Sequence, residues 1–129
     1  MRLPKIILII HGSYIFLTAI WPLVDVESFM IVTGYKTDIW LVKTVGALLL
    51  PIALCMLVHV IIETDYRPAI VLSMSTATAF VAVDFYYALN DVIGDIYLVD
   101  GFIELMFLLS WIYIVAFKRK SIRRFHTQQ

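Results

Sequence analysis

The sequence predicts an all-α, polytopic membrane protein: an antiparallel four-helix transmembrane bundle with a short amphipathic helix between spans one and two. Three observations predict it. The 129 residues are 62% hydrophobic with a mean hydropathy of +0.92, too apolar for a soluble domain of this length. Four stretches reach the roughly 20 mostly apolar residues that a bilayer crossing needs. Between them lie short polar connections, and nearly all the Lys and Arg residues outside the apolar stretches fall on one side of a four-span chain.

Span one is read as Leu3 to Val24, with Pro4 suited to a helix start and Pro22 to its end. Arg2 and Lys5 precede it as they would precede a secretory signal. The apolar run continues through Trp21 and Pro22 without a small-x-small cleavage pattern, so a retained span is expected. In the following DVESFMIVTGYKT, Val26, Phe29 and Met30 recur at i, i+3, i+4, and Gly34 can close a short helix lying on the membrane surface. Thr37 or Asp38 then caps span two, Asp38 to Ile62, where Pro51 is expected to introduce a kink. The short connection from Glu63 to Arg67 makes spans two and three antiparallel neighbours, and Pro68 sits at a first helical position. Span three runs to Asn90; its STATA section is rich in small residues that allow close helix approach. After Asn90, Asp91, Gly94 and Asp95, span four covers Ile96 to Phe117. Residues 1–120 are thus read as one transmembrane domain and 121–129 as a basic cytoplasmic tail.

Short loops rich in Lys and Arg stay in the cytoplasm. Arg2, Lys5, Arg67 and the cluster Lys118, Arg119, Lys120, Arg123 and Arg124 all fall on one side of a four-span chain. The other side receives Asp25, Glu27, Asp38, Asp91 and Asp95, with Lys36 its one basic loop residue. Both termini are therefore predicted to be cytoplasmic, in a cell (inner) membrane. Ten basic and ten acidic residues cancel, so no overall field attracts nucleic acid. Cys55 is alone, which excludes an internal disulfide, and no cofactor is implied.

The chemistry concentrates in ionisable residues inside the spans, which are costly in hydrocarbon and face a bundle interior. Asp100 and Glu104, spaced i, i+4, share one face of span four. At a rise of about 1.5 Å per residue, Lys43, Asp84 and Asp100 each lie roughly 8 to 9 Å from the outer ends of their spans. Glu104 is expected deeper, and His11 deeper still at roughly 20 Å. A polar pocket in the outer half follows, with Lys43, Asp84 and Asp100 near its mouth, Glu104 and His11 below, and Tyr14 and Tyr87 on its walls. One lysine cannot neutralise three carboxylates, so at least one is expected to hold a proton, Glu104 first.

A plainer reading stands beside this one, because polar residues in membrane bundles also serve as interhelical glue. His11 alone reads as a hydrogen-bonded packing residue; His59 and His126 read as solvated near the cytoplasmic side. A metal site would need His11, Glu104 and an aspartate to converge without the Glu-x-x-His or His-Glu-x-x-His spacing of helical metal sites. TGYKT lacks the first glycine and the preceding strand of a phosphate loop. Trp21, Tyr35, Trp40, Tyr86, Tyr87 and Tyr97 gather at the outer interface as anchoring aromatics do, and Trp111 reads as core packing.

VTGYKTDIWLVKTVGALLL, together with HGSY and WPL, resembles small four-span bacterial membrane proteins, which carry a similar Thr-Gly-x-Lys-Thr-Asp-x-Trp-Leu-Val segment before their second span. The resemblance covers mainly residues 11–50 and brings no assigned activity. In size and buried acids the chain is distantly similar to DoxX-like proteins and to the EXPERA group of sterol-isomerase-like and sterol-binding proteins; no functional residue is carried over from them.

Three classes of function fit these residues. The first is a ligand-binding or accessory membrane protein, in which a small amphipathic or cationic ligand meets Lys43, Asp84, Asp100 and Glu104. The second is a small proton-coupled transporter, assembled as a homo-oligomer, with Glu104 and His11 handing on a proton. The third is an intramembrane enzyme with Glu104 as acid and Asp100 as base on a lipid-like substrate. No nucleophile constellation accompanies it, which argues against hydrolysis.

Overall fold

A computed structural model describes residues 2–62 and 65–117 as an all-helical chain. It contains α1 (Arg2–Val24), α2 (Val26–Thr33), α3 (Ile39–Ile62), α4 (Arg67–Leu89) and α5 (Ile96–Phe117). All but α2 are long and apolar enough to cross a membrane. The tail at 121–129 lies outside the described residues.

Local chemistry sets the helix boundaries. The Asp25 carboxylate accepts from the Ser28 N–H at 3.1 Å and so caps α2; that backbone hydrogen bond holds Asp25 below the usual carboxylate range. At the other end Gly34 adopts φ 96°, a conformation glycine enters without strain, and its N–H reaches the Met30 carbonyl at 2.8 Å. Val26, Phe29 and Met30 are half-buried while Glu27 and Ile31 face outward, as the spacing predicts for an amphipathic helix. α3 runs on through Pro51 as one helix, although proline deprives the Ala47 carbonyl of its usual partner.

The long helices pair unequally. α1 packs along α3, and α4 along α5, whereas the two pairs touch each other at far fewer points. Glycines make both intimate pairings possible. A Cβ on Gly46 would come within 2.7 Å of the Ala19 carbonyl oxygen, and one on Gly12 within 3.0 Å of Leu57. A Cβ on Gly101 would meet Phe85 at 3.1 Å and the Asp84 Cβ at 3.2 Å. Ser73, Thr76 and Ala77 of α4 are buried, yet Ser73 and Thr76 donate to the carbonyls of Ala69 and Leu72 in their own helix. They contribute small size to the packing, with their hydroxyls occupied locally.

The apolar core lies at the end of the molecule away from α2. Leu8, Met56, Val60, Tyr66, Ile70, Trp111 and Ile114 bury one another there, drawn from all four long helices. At the α2 end the same helices leave a cleft of about 860 Å³. The polar residues of α1, α4 and α5 occupy the level between the two.

Candidate functional site: a buried carboxyl cluster beneath an apolar cleft

His11, Tyr14 and Thr18 share a face of α1 at spacings of three and four; Asp100, Glu104, Phe107 and Trp111 share a face of α5 by the same rule. The two faces meet rung by rung. Tyr14 donates its phenolic proton to Asp100 Oδ1, and one turn further His11 Nε2 lies 3.0 Å from Glu104 Oε2. Trp111 donates its indole N–H to His11 Nδ1 at 3.1 Å, and Phe107 stacks on the imidazole with centroids 4.3 Å apart. His11, Glu104 and Trp111 are fully buried.

These contacts fix the histidine's tautomer. An indole nitrogen can only donate, so His11 Nδ1 must present its lone pair. The ring proton then sits on Nε2 and is donated to Glu104. A doubly protonated ring would set two N–H groups against each other at Nδ1, so the geometry holds His11 neutral. Glu104 Oε1, the other carboxyl oxygen, is buried without a hydrogen-bond donor.

Asp84 enters from α4, 3% exposed, beside the bare backbone of Gly101. Its Cβ packs against Gly101, the residue after Asp100, so the two carboxyls are neighbours, while Asp84 Oδ2 is buried without a donor. Two carboxylates side by side repel each other, and a proton held between them would remove that repulsion and supply the missing donor. Among the described residues, no lysine or arginine forms an ion pair with Asp84, Asp100 or Glu104. Two adjacent unpaired charges in such surroundings would carry a large desolvation penalty. Glu104, where the sequence places a proton first, keeps an unpartnered oxygen, and the neighbouring Asp84 and Asp100 carboxyls offer a second place for one.

The cleft above is lined mainly by apolar side chains from all five helices, including Pro22, Phe29, Val45, Leu49, Phe80 and Ile103. Tyr14 and Asp100 reach it from the polar cluster, and Tyr87 stands on its wall as expected. Its lysine is Lys36. That ammonium bonds the Thr33 and Gly34 carbonyls at 3.3 and 3.2 Å and lies 5.2 Å from the Tyr97 ring centroid. Of the six interfacial aromatics, Trp21, Tyr87 and Tyr97 line the cleft, while Tyr35, Trp40 and Tyr86 are exposed away from it. Trp21 also donates to Ser28 Oγ at 2.8 Å, tying α2 over the cleft.

No known protein family, curated protein or solved structure matches this chain. The site is therefore read from its own residues.

Of the residues expected at the site, His11, Tyr14, Asp84, Asp100 and Glu104 are brought together, and Tyr87 lines the cleft above them. Lys43 is not. It is exposed on α3, which turns Leu41, Val42, Val45, Gly46 and Leu49 to the cleft instead. Rise per residue gives depth and leaves helix rotation open, and the long stem of Lys43 can carry its ammonium toward the helix end. His11, expected deeper than Glu104, reaches it directly through its side chain.

Two contributions lie beyond the sequence reading. Trp111 packs in the core as expected and in addition gives its indole N–H to His11, an acceptor that a buried indole two turns from Glu104 needs. Lys36 was read only as a loop charge; its place at the cleft depends on the path from Gly34 to Asp38, which has no periodicity to read.

Proposed function

We propose that this is a multi-pass protein whose α1, α3, α4 and α5 cross the membrane as an antiparallel bundle with both termini cytoplasmic. The cleft then faces the extracytoplasmic half and binds a small amphipathic cation, its positive group at Asp100 and its apolar body against the cleft wall. The placement of Arg2, Lys5, Arg67 and the basic C-terminal residues on one side of a four-span chain supports the orientation.

One observation carries the ligand reading. Asp100 stands where a roughly 860 Å³ apolar cleft meets a cluster of three carboxyls that no lysine or arginine among the described residues neutralises. The cleft's size falls in the range of small-molecule sites, and such sites use a few polar groups in an apolar lining to orient the ligand. Tyr14 holds the Asp100 carboxyl in place, and Tyr87 adds an aromatic ring to the lining, a group that attracts cations.

The test is titration of the protein in lipid nanodiscs with dodecyltrimethylammonium, using protein-free nanodiscs as baseline. Saturable binding is expected, weakened at least about tenfold by Asp100→Asn, as loss of about 1.5 to 3 kcal/mol from a charged partner implies. Equal binding of uncharged dodecanol, or no effect of Asp100→Asn, would overturn the reading.

A further inference from the structure

Cation binding at Asp100 has a consequence for the proton between the two aspartates. Asp84 is all but inaccessible and its Oδ2 has no donor, so the partner within reach is the Asp100 carboxyl. A proton held between the two carboxyls would give that oxygen the donor it lacks. Asp100, in turn, is the one acid of the three on the cleft surface. A positive ligand there supplies the compensation that the proton had supplied, and like charge displaces it.

We propose that the cleft exchanges its ligand for a proton: a bound organic cation and the proton shared by Asp84 and Asp100 exclude one another. This deepens the cation-binding reading and rests on it. The charge balance is simple. With the proton present the pair carries one negative charge; with the cation bound and the proton released, two carboxylates and one cation again sum to minus one. No covalent bond to the ligand forms or breaks, and the proton leaves through the cleft, where Asp100 and the Tyr14 hydroxyl reach the surface.

The neighbouring groups favour the pair as the titrating unit. From α1, Tyr14 donates to Asp100, and His11 is kept neutral by Trp111. From α5, Glu104 already accepts the His11 proton on one oxygen, and Tyr97 stands higher in the cleft. α4 adds Tyr87, and the loop before α3 adds Lys36, whose ammonium is occupied by two carbonyls. α3 adds no titratable side chain to the lining. Mutual exclusion of a proton and a cation at one carboxyl pair is also the step a proton-coupled exchanger requires.

The experiment is calorimetric titration of nanodisc-embedded protein with dodecyltrimethylammonium, a quaternary cation with no proton of its own, in two buffers of different ionisation enthalpy. The difference in heat counts protons. The expected result is release of about one proton per bound cation, with affinity rising about tenfold per pH unit across the range where the pair holds its proton. In Asp84→Asn the amide can donate to Asp100 without a titratable proton, so whatever cation binds should bind with no proton release and with a flat pH profile. Binding to the native protein without proton release overturns the exchange and leaves the cation site standing. Unchanged proton release in Asp84→Asn overturns the assignment to this pair, and absence of binding overturns both. Should Asp84→Asn fail to fold, the native proton count still decides.

Discussion

His11 shows how a single donor sets the chemistry of a whole cluster. Because the Trp111 N–H occupies Nδ1, the imidazole has one proton and one place to give it, the Glu104 carboxyl. Trp111→Phe preserves most of the ring volume and removes that donor, leaving a buried acceptor unsatisfied. The expected cost is about 1 to 3 kcal/mol, read by denaturant unfolding in detergent micelles. Nitrogen-15 spectra of the native protein should show a protonated His11 Nε2 and an unprotonated Nδ1, and the variant should lose this fixed assignment. A native spectrum with both nitrogens protonated would contradict the geometry.

At the scale of the helix, close approach is what lets α1 and α3 act as a unit. Gly46 sits against the Ala19 backbone carbonyl, and a Cβ at 2.7 Å from a backbone oxygen cannot be relieved by a rotamer change. Gly46→Ala should therefore push the helices apart and cost about 1 to 3 kcal/mol, as overpacking does. Gly94→Ala is the comparison. Its added Cβ would find only ordinary contacts, 3.8 Å from the Thr33 carbonyl oxygen and 3.9 Å from Ile96, with no left-handed backbone to strain. Unfolding midpoints measured side by side should separate the two; similar losses would mean that the α1–α3 approach is not the cause.

For the molecule as a whole, unequal pairing gives the site its position. Two tight pairs close over a shared apolar core at one end and leave the cleft at the other, where α2 lies across it. The proposed orientation places that end outside the cytoplasm. In a Cys55→Ser background, Thr37→Cys should react with a membrane-impermeant maleimide in intact cells, and Gln128→Cys only after permeabilisation. The reverse pattern would invert the molecule and open the cleft to the cytoplasm.

The helices were legible in the residues because length and apolarity are local properties. The four long apolar helices fall within a residue or two of where the sequence put the spans, and Gly34 ends α2 where its backbone freedom suggested. Spacing was enough to put Asp100 and Glu104 on one face, and His11, Tyr14 and Thr18 on another. What spacing could not supply was rotation and stagger between helices. Those turned Lys43 outward, brought Lys36 to the cleft, joined His11 to Glu104 and gave Trp111 its acceptor. Helix formation answers to hydrogen bonds within four residues, whereas the meeting of side chains nearly a hundred residues apart answers to how apolar faces and small residues pack. The sequence by itself determined that ionisable groups would lie within apolar helices; only the tertiary structure decided which of them touch.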